Sequence, residues 1–294
     1  MPDRLAPEDR EMLAAIAAVW ALIDALDRSA QRQVLSHVAG VRREIVDLMA
    51  GLPLTTGPDG TVSLPGVYLH LFAADLRSTI AQWVERLSRD VAVALARAAE
   101  IVDTGFRGAL STLARAAGVP APLIVLTPLG EASPVVTAAL MFNASALRSV
   151  GERIASSVSL AVQQAAFGAL THAEATASVR AALSTTRGGV GGLTSQVTSI
   201  TRTGVYSIAN AAAAHAIHEA GDELPDVQLE WQAIRDRRVD RACLDLDGKR
   251  RPAGGSFPGG FIAPPRHTSC RCRLIPYRPT AARIEYPEGR RRAG

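Results

Sequence analysis

The three cysteines of the chain, Cys243, Cys270 and Cys272, fall within one stretch, residues 231–277, together with His267, one of six histidines. Three thiols are too few for a disulfide framework, and beside a histidine they form the soft donor set that zinc prefers, which argues for a reducing compartment. The same stretch is where the periodicity of the chain changes. Residues 229–234 alternate in the manner of a strand, residues 271–275 do so again, and Asp247-Gly248 is a turn signal between them. A Gly/Pro-rich loop, residues 252–265, would close the sheet. So small a sheet has a thin core and needs something to pin its loop. Cys243 with the group His267-x-x-Cys270-x-Cys272 would do so through a tetrahedral ion tying two distant segments together. Cys270 and Cys272, two apart, would then share one side of an extended strand. The plainer alternative has Cys243 packed in the core while His267 and the Cys-Arg-Cys pair make local hydrogen bonds.

Everything before this stretch reads as helix. Hydrophobic residues make up 48% of the chain and aromatic ones only 4%, so alanine and leucine supply the apolar surface, a balance that favours long helices packed through small side chains. An arm over residues 1–50 opens on Glu8 and Asp9 and carries a stripe of Leu13, Ile16, Trp20, Ile23 and Leu26. A second stripe, Val34 to Leu48, either continues that helix or follows a bend near Ser29. Residues 51–66 break the pattern with glycine and proline and read as a linker. A long helical segment over 67–118 follows, with Gly105 and Gly108 as candidate bends. Residues 119–133 are a proline-rich linker, and a helical body covers 134–224. Within that body a first helix runs to about Ala169, and Thr171-His-Ala-Glu174 is a capping box opening a helix to about Leu183. A glycine-rich turn over 186–195 precedes a last long helix ending at Gly221. The glycine run lacks the Gly-Lys-Ser/Thr ending of a phosphate loop, and no strand precedes it. His215 and His218, three apart on one helical face, are candidate ligands or simply solvated.

The expected fold is therefore mainly α, an elongated long-helix body with a small α+β module over 225–277, stapled by a Cys/His cluster, and a basic tail over 278–294. Fifteen lysines and arginines stand against seven acids from Glu230 onward, a difference of +8 in a chain whose formal charge is +4. Phosphate attraction is one use for such an end, and a solubilising face is the other. No signal-peptide pattern opens the chain and no charge-free apolar run reaches the roughly 18 residues of a membrane span, so a soluble protein is expected.

The string from Trp231 through Arg-Asp-Arg-Arg-Val, Cys243, Leu-Asp-Leu-Asp-Gly248, and then Pro264-Pro265-Arg-His267-Thr-Ser-Cys270-Arg-Cys272, resembles the signature of the phage Mu F-like head morphogenesis (minor head) proteins. Thr201-Arg202-Thr203 is similar to the Ala-Arg-Thr-Glu element of that family. Two positions depart from the pattern: Asp240 stands where the first cysteine is often found, and Gly204 where a glutamate is expected. The resemblance implies a minor capsid protein of a tailed phage or prophage, present in multiple copies around the portal in the capsid interior. During assembly it would sit in the host cytoplasm. Its implied partners are the portal protein, the major capsid or scaffold protein, and double-stranded DNA bound without sequence preference; no membrane and no catalysis are implied. Cys243, His267, Cys270, Cys272 and Asp240 would hold a structural zinc with mixed ligands, or the metal is lost and the residues remain for packing. Portal docking is assigned to the amino-terminal helices because their apolar stripes exceed what a lone helix hides.

Two other readings compete. In a metal-dependent hydrolase or nuclease, Asp245 and Asp247, two apart on one strand face, would join Cys243 and His267 as paired metal carboxylates. A host-side DNA-binding zinc protein would instead need a recognition helix beside the ligands, which the sequence does not supply.

Overall fold

The computed structural model describes residues 6–53, 55–57, 61–116, 118–119, 133–183, 192–221, 224 and 226–278. Among these, six helices and six short strands follow one another along the chain. Helix α1 (Pro7–Ala50) is one continuous helix, so the two stripes of its sequence belong to one element. Strands β1 (Thr55–Thr56) and β2 (Thr61–Ser63) follow, and then helix α2 (Gly66–Ala116). Helix α3 (Pro134–Ala166) passes into strand β3 (Phe167–Thr171). After it come α4 (His172–Ala182) and α5 (Leu193–Ala220). The carboxyl-terminal module contains β4 (Gln228–Gln232), α6 (Arg241–Leu244), β5 (Arg250–Pro252) and β6 (Arg273–Tyr277). The proline-rich segment, the centre of the glycine-rich turn and the basic tail lie outside the described residues, save for a few positions at their edges.

These elements distribute over two compact units, one of Met1–Arg28, Val93–Leu140 and Arg202–Gly294, the other of Ser29–Ala92 and Met141–Thr201. In the second unit, β1, β2 and β3 form an antiparallel sheet in that order, with Thr55 opposite Ser63 and Thr61 opposite Thr171. Thus the segment over 51–66 contains two strands, and the helix expected to reach Ala169 stops at Ala166. Gly168 disfavours helix, and the strand that begins at Phe167 supplies β2 with a partner for its backbone groups. The capping box forms as its sequence suggests: the Thr171 hydroxyl accepts from the Glu174 N–H and the Glu174 carboxylate accepts from the Thr171 N–H. That backbone hydrogen bond holds the Glu174 carboxyl below its ordinary value.

The first unit has a core of Met12, Ile16, Trp20, Ile23, Leu95, Val102 and Phe106, with Trp20 and Phe106 edge to face at 6.3 Å. Gly105 permits the close approach of α1 and α2 here, since a Cβ on it would lie 2.1 Å from Val19 Cγ2. Within this core the stripe of Ile16, Trp20 and Ile23 is at most 1% exposed. That part of the apolar stripe of α1 is therefore packed within the chain's own unit.

In the module, β4 lies between β5 and β6, with Leu229 opposite Arg251 on one side and Trp231 opposite Leu274 on the other. Trp231 is fully buried and packs edge to face on Phe257 at 5.3 Å and Phe261 at 6.5 Å. The long loop is pinned by arginine: the buried Arg251 donates to the Ile262 and Pro252 carbonyls and stacks over Phe257.

Candidate metal centre

Three short elements carry the donor atoms. Asp240 caps α6, its Oδ1 accepting from the Ala242 N–H at 2.8 Å, and this single helical turn directs Cys243 inward, where it is 1% exposed. The chain then turns at Asp247-Gly248, with Gly248 at φ 72°, a left-handed conformation that costs glycine little. On the far side of the long loop, Ser269 adopts φ 63° and reverses the chain between His267 and Cys270. Strand β6 begins only at Arg273, so Cys270 and Cys272 lie in the turn that leads into it and do not share a strand face.

The donor atoms of Cys243, His267 and Cys270 lie within 4.8 Å of one another. Cys243 Sγ is 3.1 Å from His267 Nε2 and 3.7 Å from Cys270 Sγ. Tetrahedral zinc with bonds of about 2.3 Å to sulfur and about 2.0 Å to nitrogen sets sulfurs about 3.8 Å apart and sulfur and nitrogen about 3.5 Å apart. The first spacing is met and the second needs a few tenths of an ångström. His267 Nδ1 lies 2.9 Å from the Thr268 carbonyl oxygen. Donation by Nδ1 leaves the Nε2 lone pair facing the thiols, the tautomer a ligand requires. Cys272 and Asp240 line the same cavity of about 20 Å3, room for one water or one ion, but stand outside the group of three.

The thiols share charge unequally. A hydrogen bond from the Cys272 side chain, helped by backbone donors, brings Cys270 down to about 5. Burial pushes Cys243 up to about 11, and the hydrogen bond to Cys270 pushes Cys272 up further still. The hydrogen bonds thus favour placing negative charge on Cys270, and a cation would favour it on the other thiols too.

The surrounding carboxylates do structural work. Asp247 accepts from the Ala233 N–H at 2.9 Å and from Arg235, so its oxygens hold the turn to β4. Asp245 caps the end of α6 and is exposed. The two do not share a strand face, because the residues between Cys243 and Gly248 form a helical turn and its cap. At four residues α6 spans about 6 Å, too short for a recognition helix.

Helix α5 holds the cluster from behind. Thr203 Oγ1 accepts from the Ser269 N–H at 2.9 Å. Asn210 Nδ2 donates to the Cys272 carbonyl at 2.9 Å and its Oδ1 accepts from the Leu274 N–H at 2.7 Å. Arg202 pairs with Asp27, while Arg273 and the Tyr206 hydroxyl both bind Asp24. Asn210 and Asp24 escaped the sequence reading. A lone asparagine entering an alanine run in a helix was the available signal, since a buried amide demands partners.

Five separated elements thus meet in one module: the tryptophan strand, the turn carrying Cys243, the Asp-Gly turn, the His267–Cys272 loop, and the Thr201–Thr203 turn of α5 behind it. Residues 158–275 match the family model of Phage Mu protein F like protein. That stretch of the chain, about two fifths of its length, is similar to the Phage Mu F-like family. No curated protein and no solved structure matches the chain significantly. The geometry bears on both departures from the Mu F-like pattern. Gly204 is buried beneath the cluster, where a glutamate would have to bury its charge. Asp240 keeps a backbone role as a helix cap whether or not it reaches a metal.

Proposed function

We propose that the chain is a minor head protein of a tailed phage or prophage, located inside the capsid at the portal vertex, where it contacts the portal and packaged DNA. The match of residues 158–275 to the Mu F-like family model carries this reading, and within the module Cys243, His267 and Cys270 bring the loop before β6 against α6. Zinc fits the three donors Cys243, His267 and Cys270, with Cys272 or Asp240 for the fourth position. When bound it would supply a cross-link between α6 and the 266–272 loop, replacing the weak thiol contacts there.

DNA contact is supported by selective neutralisation in the loop over 235–241. Asp236 accepts two hydrogen bonds from Arg271 and one from the Arg238 N–H. Those bonds overcome the opposing effect of burial and lower the Asp236 carboxyl below its ordinary value. Asp240 is engaged by Ala242 and Arg235 by Asp247. Arg237 and Arg238 on the loop, and Arg241 at the start of α6, are left exposed. Replacing these three by glutamine should weaken DNA binding equally on unrelated sequences and lower the slope of log K against log salt by about 3, close to one per phosphate contact. An unchanged slope would remove this loop from the interface.

Portal docking is better placed in the second unit than on the buried stripe of α1. Val67, Tyr68 and Leu71 are exposed at the start of α2, beside a cleft of about 830 Å3 edged by Glu44, Asp47 and Asp75. Co-purification of the full chain with portal rings is the matching test, and loss of the complex on Leu71→Asp is its expected result.

A further inference from the structure

A second cleft lies within the unit of Ser29–Ala92 and Met141–Thr201, between α2 and α3. It has a volume of about 430 Å3 and a largely apolar lining of Ile80, Ala81, Val84, Ala144 and Ala155. At Gly151 the two helices meet closely: a Cβ there would lie 2.7 Å from Val84 Cγ2 and 3.1 Å from Ile80 Cγ2. On either side of that contact the alanines leave the seam open, as between two helices of a bundle awaiting a third.

The rim of the cleft carries both signs of charge on each helix, Arg77 and Glu85 on α2, the latter paired with Arg89, and Arg148 and Glu152 on α3. Arg148 and Glu152, one turn apart on α3, are exposed and line the cleft, and neither forms an ion pair or side-chain hydrogen bond among the described residues. Met141, 69% exposed, falls on the same helical face seven residues before Arg148. A partner of one charge sign would satisfy one rim residue and oppose the other. An antiparallel copy of α3 satisfies both at once, since a two-fold axis passing between residues 148 and 152 sets Arg148 of each copy against Glu152 of the other. The same axis sets Ala155 of each helix near Ala144 of its mate, and Met141 near Ser159, adding apolar cover to the seam.

We infer that the α2–α3 cleft is a self-association surface, occupied by α3 of a second copy of this chain in a two-fold antiparallel pair. The surface lies largely outside the Mu F-like region and owes nothing to the metal cluster or to DNA.

Sedimentation of the full chain across about 1–100 µM tests this, with circular dichroism confirming helix content. The wild type should show a concentration-dependent dimer. Arg148→Glu alone and Glu152→Arg alone should each weaken it about tenfold, because each places like charges opposite at two symmetric positions. The double variant Arg148→Glu with Glu152→Arg should restore the dimer to within about threefold of wild type. A wild type that stays monomeric, singles that leave the dimer unchanged, or a double variant no stronger than the singles would each overturn the proposal.

Discussion

Protein purified from zinc-replete cells should carry close to one zinc per chain, and removing the metal should lower the melting temperature of the unit that contains the module by about 10 °C. The estimate follows from linkage: a metal held at about a thousandfold above its dissociation constant adds about 4 kcal/mol, and in a unit of this size each kcal/mol moves the midpoint by about 2–4 °C. Cys243→Ser should abolish stoichiometric zinc, since Cys243 is the donor within reach of both His267 Nε2 and Cys270 Sγ. Arg266→Ala is the control. Arg266 donates to the Ala242 carbonyl at the edge of the cluster but offers no metal ligand, so it should leave the metal content unchanged. A metal ratio near zero in the wild type would show that the three thiols and the histidine hold the loop by packing and hydrogen bonds alone.

Asn210→Ala should be the most destabilising single change away from the cluster, costing about 3 kcal/mol in denaturant unfolding. The side chain is wholly buried, and truncation leaves the Leu274 N–H without its acceptor and the Cys272 carbonyl without its donor. Two buried backbone groups left unsatisfied cost about 1–3 kcal/mol each, and water cannot reach them without opening β6 from α5. The change should also weaken zinc retention, because the same bonds fix the backbone from the Cys272 carbonyl to the Leu274 N–H, directly after the cluster. A loss under about 1 kcal/mol would mean that the amide is replaced by water and that α5 does not hold the module.

The helices were legible because their signals are local. Acidic residues after Pro7, the Thr171 capping box and the repeat of apolar residues every three or four positions each act within a turn or two. The ladder of β4 and β6 was legible from alternation, and the Asp247-Gly248 turn from its dipeptide. What failed depends on distant partners. Residues 61–63 and 167–171 become strands because they find one another across about a hundred positions, which no short window contains, and residues 55–56 add to that pair as the other arm of a short hairpin. The apolar stripe of α1 looked unpartnered because Phe106 and Val102, which cover it, lie far along α2. At the cluster, the residue types were visible but their geometry was not. The turn at Ser269 lifts Cys270 out of the strand, and the cap at Asp240 spends one of its oxygens on Ala242. Asn210 carried only a weak signal, since a single asparagine in an alanine run shows its worth only when its two backbone partners are in place.

The assignment of this chain to the head of a phage is tested most directly by peptide mass spectrometry of purified virions from a lysogen or phage that encodes it, with the portal protein as internal standard. The account predicts peptides from this chain in the particle, in fixed ratio to the portal and retained in emptied heads or lost together with the DNA. Their absence from intact virions, with portal peptides abundant in the same sample, would contradict it.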